Sequence, residues 1–277
     1  KLLPEVPLIM GGHEHTSRSV SVGNTVITKA DANAKTVYIH RVSYDKKTKK
    51  VTLISELKEI NSSIKTDEKV GAIVAQWQQV LKTKIKEIVS NPTAIIYTAK
   101  PPLDGRDTPI RSVQTNLGKI ITQSMSFAFD DRVDCALVNG GSIRIDDALE
   151  GAITAVDIFR VLPYGGPILK VNIKGSLLKR VLDYGVLAGG TGAYLQRYNA
   201  KKVGAEWYIK NKLLVSNTTY DVAFSEYLLK GFDIPFLSEK NNDVLSVYHP
   251  KPWELGADIR KAVVAYLTLE TKKSAHK

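Results

Sequence analysis

The sequence predicts a mixed α/β (α+β) chain in three sections: a strand-rich stretch over residues 1–64, a long helix over 65–92, and a domain of alternating strands and helices over 93–277. Three observations predict this. Short apolar runs with partial alternation, broken by turn residues, fill the first 60 positions. One apolar stripe of helical period then follows. From residue 93 onward, strand-like and helix-like segments alternate, which is the pattern of a mixed sheet packed by helices.

The elements can be justified in order. Residues 6–10 form an apolar run that ends in Gly11-Gly12. Residues 25–30, 36–44 and 51–60 read as strands, and the lysine-rich segment 45–50 reads as the hairpin turn between the last two. Thr66 reads as the N-cap of a helix, with Asp67 and Glu68 in the first turn where carboxylates complement the helix dipole. Val70, Ile73, Val74, Trp77, Leu81, Ile85, Ile88 and Val89 then recur at intervals of three and four, a stripe expected to pack along one face. Asn91-Pro92 stops the helix. Beyond it, strands are expected at 94–99, 134–138, 169–173, 206–209 and 219–224, helices after Thr115 to about 129, at 175–185 and 256–269, and a short helix or turn region at 156–162.

Composition excludes several classes. With 277 residues and 43% hydrophobic content the chain can bury one large core or two modest ones. No run reaches the roughly 18 apolar residues of a membrane span. The single cysteine, Cys135, lies in an apolar run and rules out an internal disulfide or a cysteine-built zinc cage. A net charge of +11 favours anionic partners, but the lysines are dispersed and no basic stripe is interleaved with aromatics, so small phosphorylated ligands fit better than nucleic acid. The start at Lys1 shows neither an initiator Met nor a targeting segment, and residues are expected upstream.

Two constellations carry chemistry. The first is Gly11-Gly12-His13-Glu14-His15 after a strand. Imidazoles are common ligands for zinc and manganese, and two histidines at i and i+2 of extended backbone would face the same side. This segment is similar to the final motif of the calcineurin-like metallophosphoesterases, and the resemblance implies that His13 and His15 are metal ligands. The family's earlier D-x-H, G-D and G-N-H-[ED] motifs do not occur here. A divalent metal pair (zinc, manganese or similar) is therefore expected only in a full-length enzyme. The missing N-terminal catalytic domain would be this chain's partner, and the chain alone is expected to hold no catalytic residues and to hydrolyse nothing.

The second constellation is more specific. Arg111-Ser-Val-Gln-Thr-Asn-Leu-Gly-Lys119 is followed by Asp134-Cys-Ala-Leu-Val-Asn-Gly-Gly-Ser-Ile-Arg144, then by Gly151-Ala-Ile-Thr154 and Val161-Leu-Pro-Tyr-Gly-Gly166. In order and spacing these closely resemble the nucleoside-binding C-terminal domain of the 5'-nucleotidases. Gly190-Thr-Gly-Ala-Tyr-Leu-Gln196 and Thr219-Tyr-Asp-Val-Ala223 extend the match. The resemblance implies a base held between aromatic rings, Tyr164 and either Tyr227 or Phe232. It also implies Asp233 on the ribose, Arg111 and Arg144 around ribose and base, and Asn139 on the base edge; Arg106 is a further basic candidate. Where the family has G-G-D-G-[FY], this chain reads Gly231-Phe-Asp-Ile-Pro-Phe236.

The expected function is thus nucleoside recognition within an extracytoplasmic (periplasmic, surface or secreted) metal-dependent hydrolase of nucleoside 5'-phosphates or related nucleotides, an activity of nucleotide catabolism. The alternatives are a nucleoside-binding module that catalyses nothing and a nonspecific nucleic-acid binder.

Overall fold

A computed structural model describes residues 5–275. The chain divides into two units, Lys1–Gln76 and Trp77–Lys277.

In the first unit, β1 (Leu8–Met10), β2 (Arg18–Val22) and β3 (Thr25–Lys29) make a small sheet in the order β1-β3-β2, and β4 (Thr36–Asp45) and β5 (Lys50–Glu59) make an antiparallel hairpin. β2 is not among the expected strands: its sequence Arg-Ser-Val-Ser-Val is exposed throughout and forms by pairing with β3 through the turn at Gly23 (φ 59°). Among the described residues of this unit only Thr25 and Thr28 are buried, so its strands carry apolar side chains without an apolar core. The run at residues 6–10 is accordingly not buried: Leu8 and Ile9 are half-buried and Met10 is exposed.

The long helix is α1 (Glu68–Lys86), and the division between units falls within it. Two expectations need correction. Its N-cap is Asp67, whose Oδ1 accepts from the Val70 amide at 3.0 Å, one residue later than Thr66. The apolar stripe is not packed along its length: Val70, Ile73, Val74, Trp77 and Leu81 are exposed and only Ile85 is buried. Periodicity identifies an amphipathic helix, but the described residues supply no layer for most of that face.

The second unit holds β6 (Ile95–Asp104), α2 (Asp107–Ile110), α3 (Asn116–Phe127), β7 (Cys135–Asn139), β8 (Ala148–Thr154), α4 (Ala155–Val161), β9 (Ile168–Lys174), α5 (Gly175–Leu187), β10 (Leu195–Tyr198), β11 (Ala200–Val203), β12 (Glu206–Ile209), β13 (Lys212–Leu213), β14 (Thr219–Ser225), α6 (Glu226–Leu229), β15 (Val244–Tyr248) and α7 (Ile259–Ala275). Its centre is a mixed five-stranded sheet in the order β10-β7-β14-β9-β15, with β7 and β14 parallel and the other pairs antiparallel. The mixed α/β architecture expected from the sequence is what forms.

β7 shows why its sequence reads as a continuous apolar run. Ala136 and Val138 pack with Ile121, Met125, Val263 and Leu267 of α3 and α7, whereas Cys135 and Leu137 pack with Leu178, Val181 and Leu182 of α5 and with Trp207 of β12. A strand covered on both faces has no polar side. Burial raises the Cys135 thiol far above its ordinary range, so it remains a neutral apolar side chain.

Asp183 of α5 accepts from Lys179 Nζ (2.7 Å), Trp207 Nε1 (2.9 Å) and Lys202 Nζ (3.0 Å), tying the helix to β11 and β12. Burial alone would raise its pKa, but these donors outweigh burial and hold it at about 2. Because the folded-state value is depressed, Asp183 contributes its full stability above the unfolded carboxylate pKa near 4 and loses it as pH falls towards 2. The contribution is on the order of 1–2 kcal/mol once screening is allowed for. Denaturant titrations of Asp183→Asn and wild type should therefore differ at pH 6 and converge towards pH 2; a pH-independent difference would remove this assignment.

Candidate functional site

The ends of the sheet build the site. β7 and β14 run parallel and finish at the same edge, where β9 begins. Asn139 closes β7, Ser225 closes β14 with Tyr227 just beyond it, and the turn Tyr164-Gly165-Gly166-Pro167 leads into β9. The carboxyl ends of parallel strands are a common place for ligands in open α/β sheets. Here they open on a cleft of about 580 Å³ lined by Arg111, Asn139, Arg144, Tyr164, Tyr227 and Asp233 among others. All six substrate-site residues expected from the sequence meet at this one cleft.

Each is held differently. Arg111 caps the C-terminal end of α2; its Nε donates to Asp107 Oδ1 at 2.7 Å and its side chain is 22% exposed. Its segment is pinned by Gln196 of β10, which is fully buried. Gln196 Nε2 donates to the carbonyls of Ile110 (2.9 Å) and Val113 (2.7 Å), and Oε1 accepts from the Thr115 amide (3.0 Å) and Gln114 Nε2 (2.9 Å). A Cβ on Gly118 would overlap this amide, which explains the glycine three residues after Thr115. Thr115 itself caps α3, accepting from the Gly118 amide at 3.0 Å. Arg144 is exposed, and its guanidinium has no ion pair among the described residues.

Asn139 is only 2% exposed and lies at the centre of a hydrogen-bonded chain. Its Nδ2 donates to Asp233 Oδ2 at 2.7 Å, and its Oδ1 accepts from Ser142 Oγ at 2.6 Å. Tyr227 OH donates to Asp233 Oδ1 at 3.3 Å. Burial and the Asp233 carboxylate raise the Tyr227 phenol above its ordinary range. The Asp233 carboxylate, which can only accept, fixes which way the amide faces, and Asn139 retains one N–H and one lone pair for a ligand.

The aromatic groups are more open. Tyr164 is 76% exposed; Tyr227 is 42% exposed, and its ring lies 5.6 Å from that of Phe232 at 44°. Phe232 does not line the cleft, whereas Tyr227 does. The loop that departs from the expected glycine pattern is anchored instead by Ile234 and Leu237, both fully buried with Leu228 and Leu229. Only Gly231 takes a left-handed conformation (φ 75°).

Other residues fall elsewhere. Arg106 is engaged by Asp104 through Nε (2.9 Å) and Nη2 (2.8 Å) and does not line the cleft. Sequence reasoning missed Ser142, Ser225, the Glu226–Lys230 ion pair (2.8 Å) and Ile259 at the start of α7, all of which line it. Ser142 stands in the Asn139-Gly-Gly-Ser142 segment and is legible there as a hydroxyl beside Asn139; Ile259 carries no local signal.

His13 and His15 are both exposed on a bend, and His13 has φ 77°. The segment is therefore not extended, and spacing alone does not put both rings on one side. Glu14 lies against Lys29, with its carboxylate 3.4 Å away and its carbonyl accepting from Lys29 Nζ at 2.6 Å. Among the described residues no three His, Cys, Asp or Glu side chains gather as a metal site, so the side chains present do not fit a complete dinuclear centre.

Fold and cleft define a mixed α/β domain with a cleft of ligand size at the ends of its sheet strands, lined by charged, amide and aromatic side chains. The chain belongs to the family described as 5'-nucleotidase, C-terminal domain, whose profile matches residues 95–239. It is similar to the 5'-nucleotidase of Mus musculus, 29% identical over 223 residues that cover 69% of this chain and 38% of that protein. It is also similar to the endonuclease YhcR of Bacillus subtilis (strain 168), 30% identical over 182 residues that cover 65% of this chain and 14% of that protein. The chain thus spans well under half the length of these relatives. In fold it resembles the 5'-nucleotidase precursor of Thermus thermophilus, with a TM-score of 0.68 and 20% identity over 95% of this chain and 54% of that one.

Proposed function

We propose that this chain is the nucleoside-recognition part of a metal-dependent phosphohydrolase acting on nucleoside 5'-phosphates or related nucleotides. The observation that carries the reading is the convergence of Arg111, Asn139, Arg144, Tyr164, Tyr227 and Asp233 on one cleft. Tyr164 and Tyr227 offer π-faces to the base, a mode of binding largely tolerant of base identity. The Asp233 carboxylate, already oriented by Asn139 and Tyr227, accepts from ribose hydroxyls. The remaining Asn139 N–H reads the base edge, and Arg111 and Arg144 supply cationic donors around sugar and base.

The chemistry of phosphate release lies outside this chain in the same reading. A metal pair would hold the phosphate and generate the attacking hydroxide. His13 and His15 would contribute ligands to it, and an N-terminal catalytic domain would supply the others. An extracytoplasmic location belongs to the reading through the family resemblance.

The test has two arms. Adenosine or cytidine should bind the 277-residue chain in a calorimetric titration, and Tyr164→Ala should weaken binding by about 1–3 kcal/mol. The same chain should release no phosphate from AMP with zinc or manganese present. Unchanged affinity in Tyr164→Ala would retire the stacking role, and metal-dependent turnover would place catalytic groups in this chain.

A further inference from the structure

Tyr164 presents a mechanical problem. A ring that is 76% exposed is not held by packing of its own, yet a stacking platform is effective only when it is already in place. Its position must come from the backbone turn that carries it, and that turn contains two left-handed glycines, Gly165 (φ 60°) and Gly166 (φ 95°). Glycine-rich turns are the least self-supporting kind.

We propose that Arg260, near the start of α7, is a positioning residue that braces this turn and so sets the place of Tyr164; its effect on ligand affinity rests on the nucleoside reading above. The guanidinium is itself immobilised. Arg260 Nε donates to Asp258 Oδ1 at 2.9 Å, Nη2 donates to Oδ2 at 2.6 Å, and the Arg260 amide donates to Oδ1 at 2.8 Å. Its Cζ lies 4.3 Å from the centroid of the Phe159 ring in α4. The arginine and aspartate side chains are only 15% and 17% exposed, so this fork is mostly shielded from water. Planar, doubly hydrogen-bonded and stacked, it is among the stiffest arrangements an arginine can adopt.

This plate lies directly against Gly165: a Cβ there would overlap the guanidinium at Cζ, Nη2 and Nε. Gly165 is therefore required twice, once for its left-handed φ and once for the approach of Arg260. The neighbouring amide of Ile259 donates to the Gly166 carbonyl at 2.9 Å, and Ile259 itself lines the cleft. Two consecutive residues of α7 thus hold two consecutive residues of the Tyr164 turn. One end of the turn is fixed by the Gly165 amide donating to the Leu162 carbonyl at 3.2 Å, and the other continues into β9.

The experiment compares wild type, Arg260→Met, Tyr164→Ala and the double variant by titration with the four common ribonucleosides. Backbone amide exchange at Gly165 and Gly166 is followed without ligand. Arg260→Met should weaken the best ligand roughly tenfold, and adding it to Tyr164→Ala should cause no further loss, because Arg260 acts through that ring. Exchange at the turn should speed up in Arg260→Met. Arg260→Lys should restore little, since an ammonium reproduces neither fork nor stack. Arg132→Met, which breaks an exposed ion pair with Asp130 held through Nη2, should change nothing.

Additive losses in the double variant, or unchanged affinity in Arg260→Met, would overturn the proposal. If wild type binds no ribonucleoside, the nucleoside reading falls and the exchange rates alone decide the brace: unaltered exchange overturns it and faster exchange supports it. Should Arg260→Met fail to fold, Phe159→Leu, which leaves the Asp258 ion pair intact, is read in the same way.

Discussion

Replacing Gln196 with leucine is expected to destabilise the unit Trp77–Lys277 by about 3 kcal/mol or more. The substitution keeps most of the volume, so the cavity contribution is small. What it removes is an amide that satisfies three backbone groups at once: the carbonyls of Ile110 and Val113 and the amide of Thr115. Each buried group left without a partner costs about 1–3 kcal/mol, and the apolar surroundings offer no substitute. For a unit of this size the loss corresponds to a fall in Tm of roughly 6–12 °C. Gly118→Ala should act in the same direction, since its Cβ can be accommodated only by displacing the Gln196 amide from those partners. Chemical denaturation of both variants checks the expectation. A Gln196→Leu midpoint indistinguishable from wild type would mean that the 110–115 segment, and Arg111 with it, is held by something else.

That pin also shows which parts of the molecule can be read from one dimension. The Thr115 cap, the apolar run of β7 and the hairpin between β4 and β5 each depend on residues close in sequence, and each forms near its expected place. The motifs around Arg111, Asn139 and Arg144 were legible for a related reason: each is a short string whose spacing reflects one local turn. The short strands β10, β11, β13 and β15 were not legible. Lys201, Lys202 and Lys212 obscure any alternation in β11 and β13, and pairing with neighbours decides the outcome. The stripe of α1 was legible as a pattern, but a pattern does not say what lies against it. Within the cleft, no local signal joins Asn139 to Asp233, which are 94 positions apart, and none marks Ile259 or Arg260. His13 erred in the opposite direction: the spacing was right, but the extended backbone that gives it meaning is absent.

The hydrogen-bonded chain through Asn139 leads to the largest expected effect on binding. Asp233→Ala should weaken ribonucleosides by roughly 10- to 150-fold, the loss of about 1.5–3 kcal/mol expected when hydrogen bonds to a charged acceptor disappear. The free base, which has no sugar for the carboxylate to hold, should lose little. The ratio of adenosine to adenine affinity therefore isolates the role of Asp233, and it should approach one in the variant. Asn139→Ala is expected to reproduce part of the effect, because Asp233 then loses the 2.7 Å donor that orients it while keeping the weaker 3.3 Å contact from Tyr227. Ser142→Ala should give a smaller loss again, since the Asn139 oxygen then loses the 2.6 Å donor that steadies it while its N–H still faces the carboxylate. For the sugar-dependent part of the affinity, read as the adenosine-to-adenine ratio, this graded order, Asp233 over Asn139 over Ser142, follows from each residue acting through the next. If Asp233→Ala lowered adenosine and adenine affinity alike, the carboxylate would be supporting the cleft wall rather than gripping a sugar, and ribose recognition would have to be sought at Arg111 or Arg144.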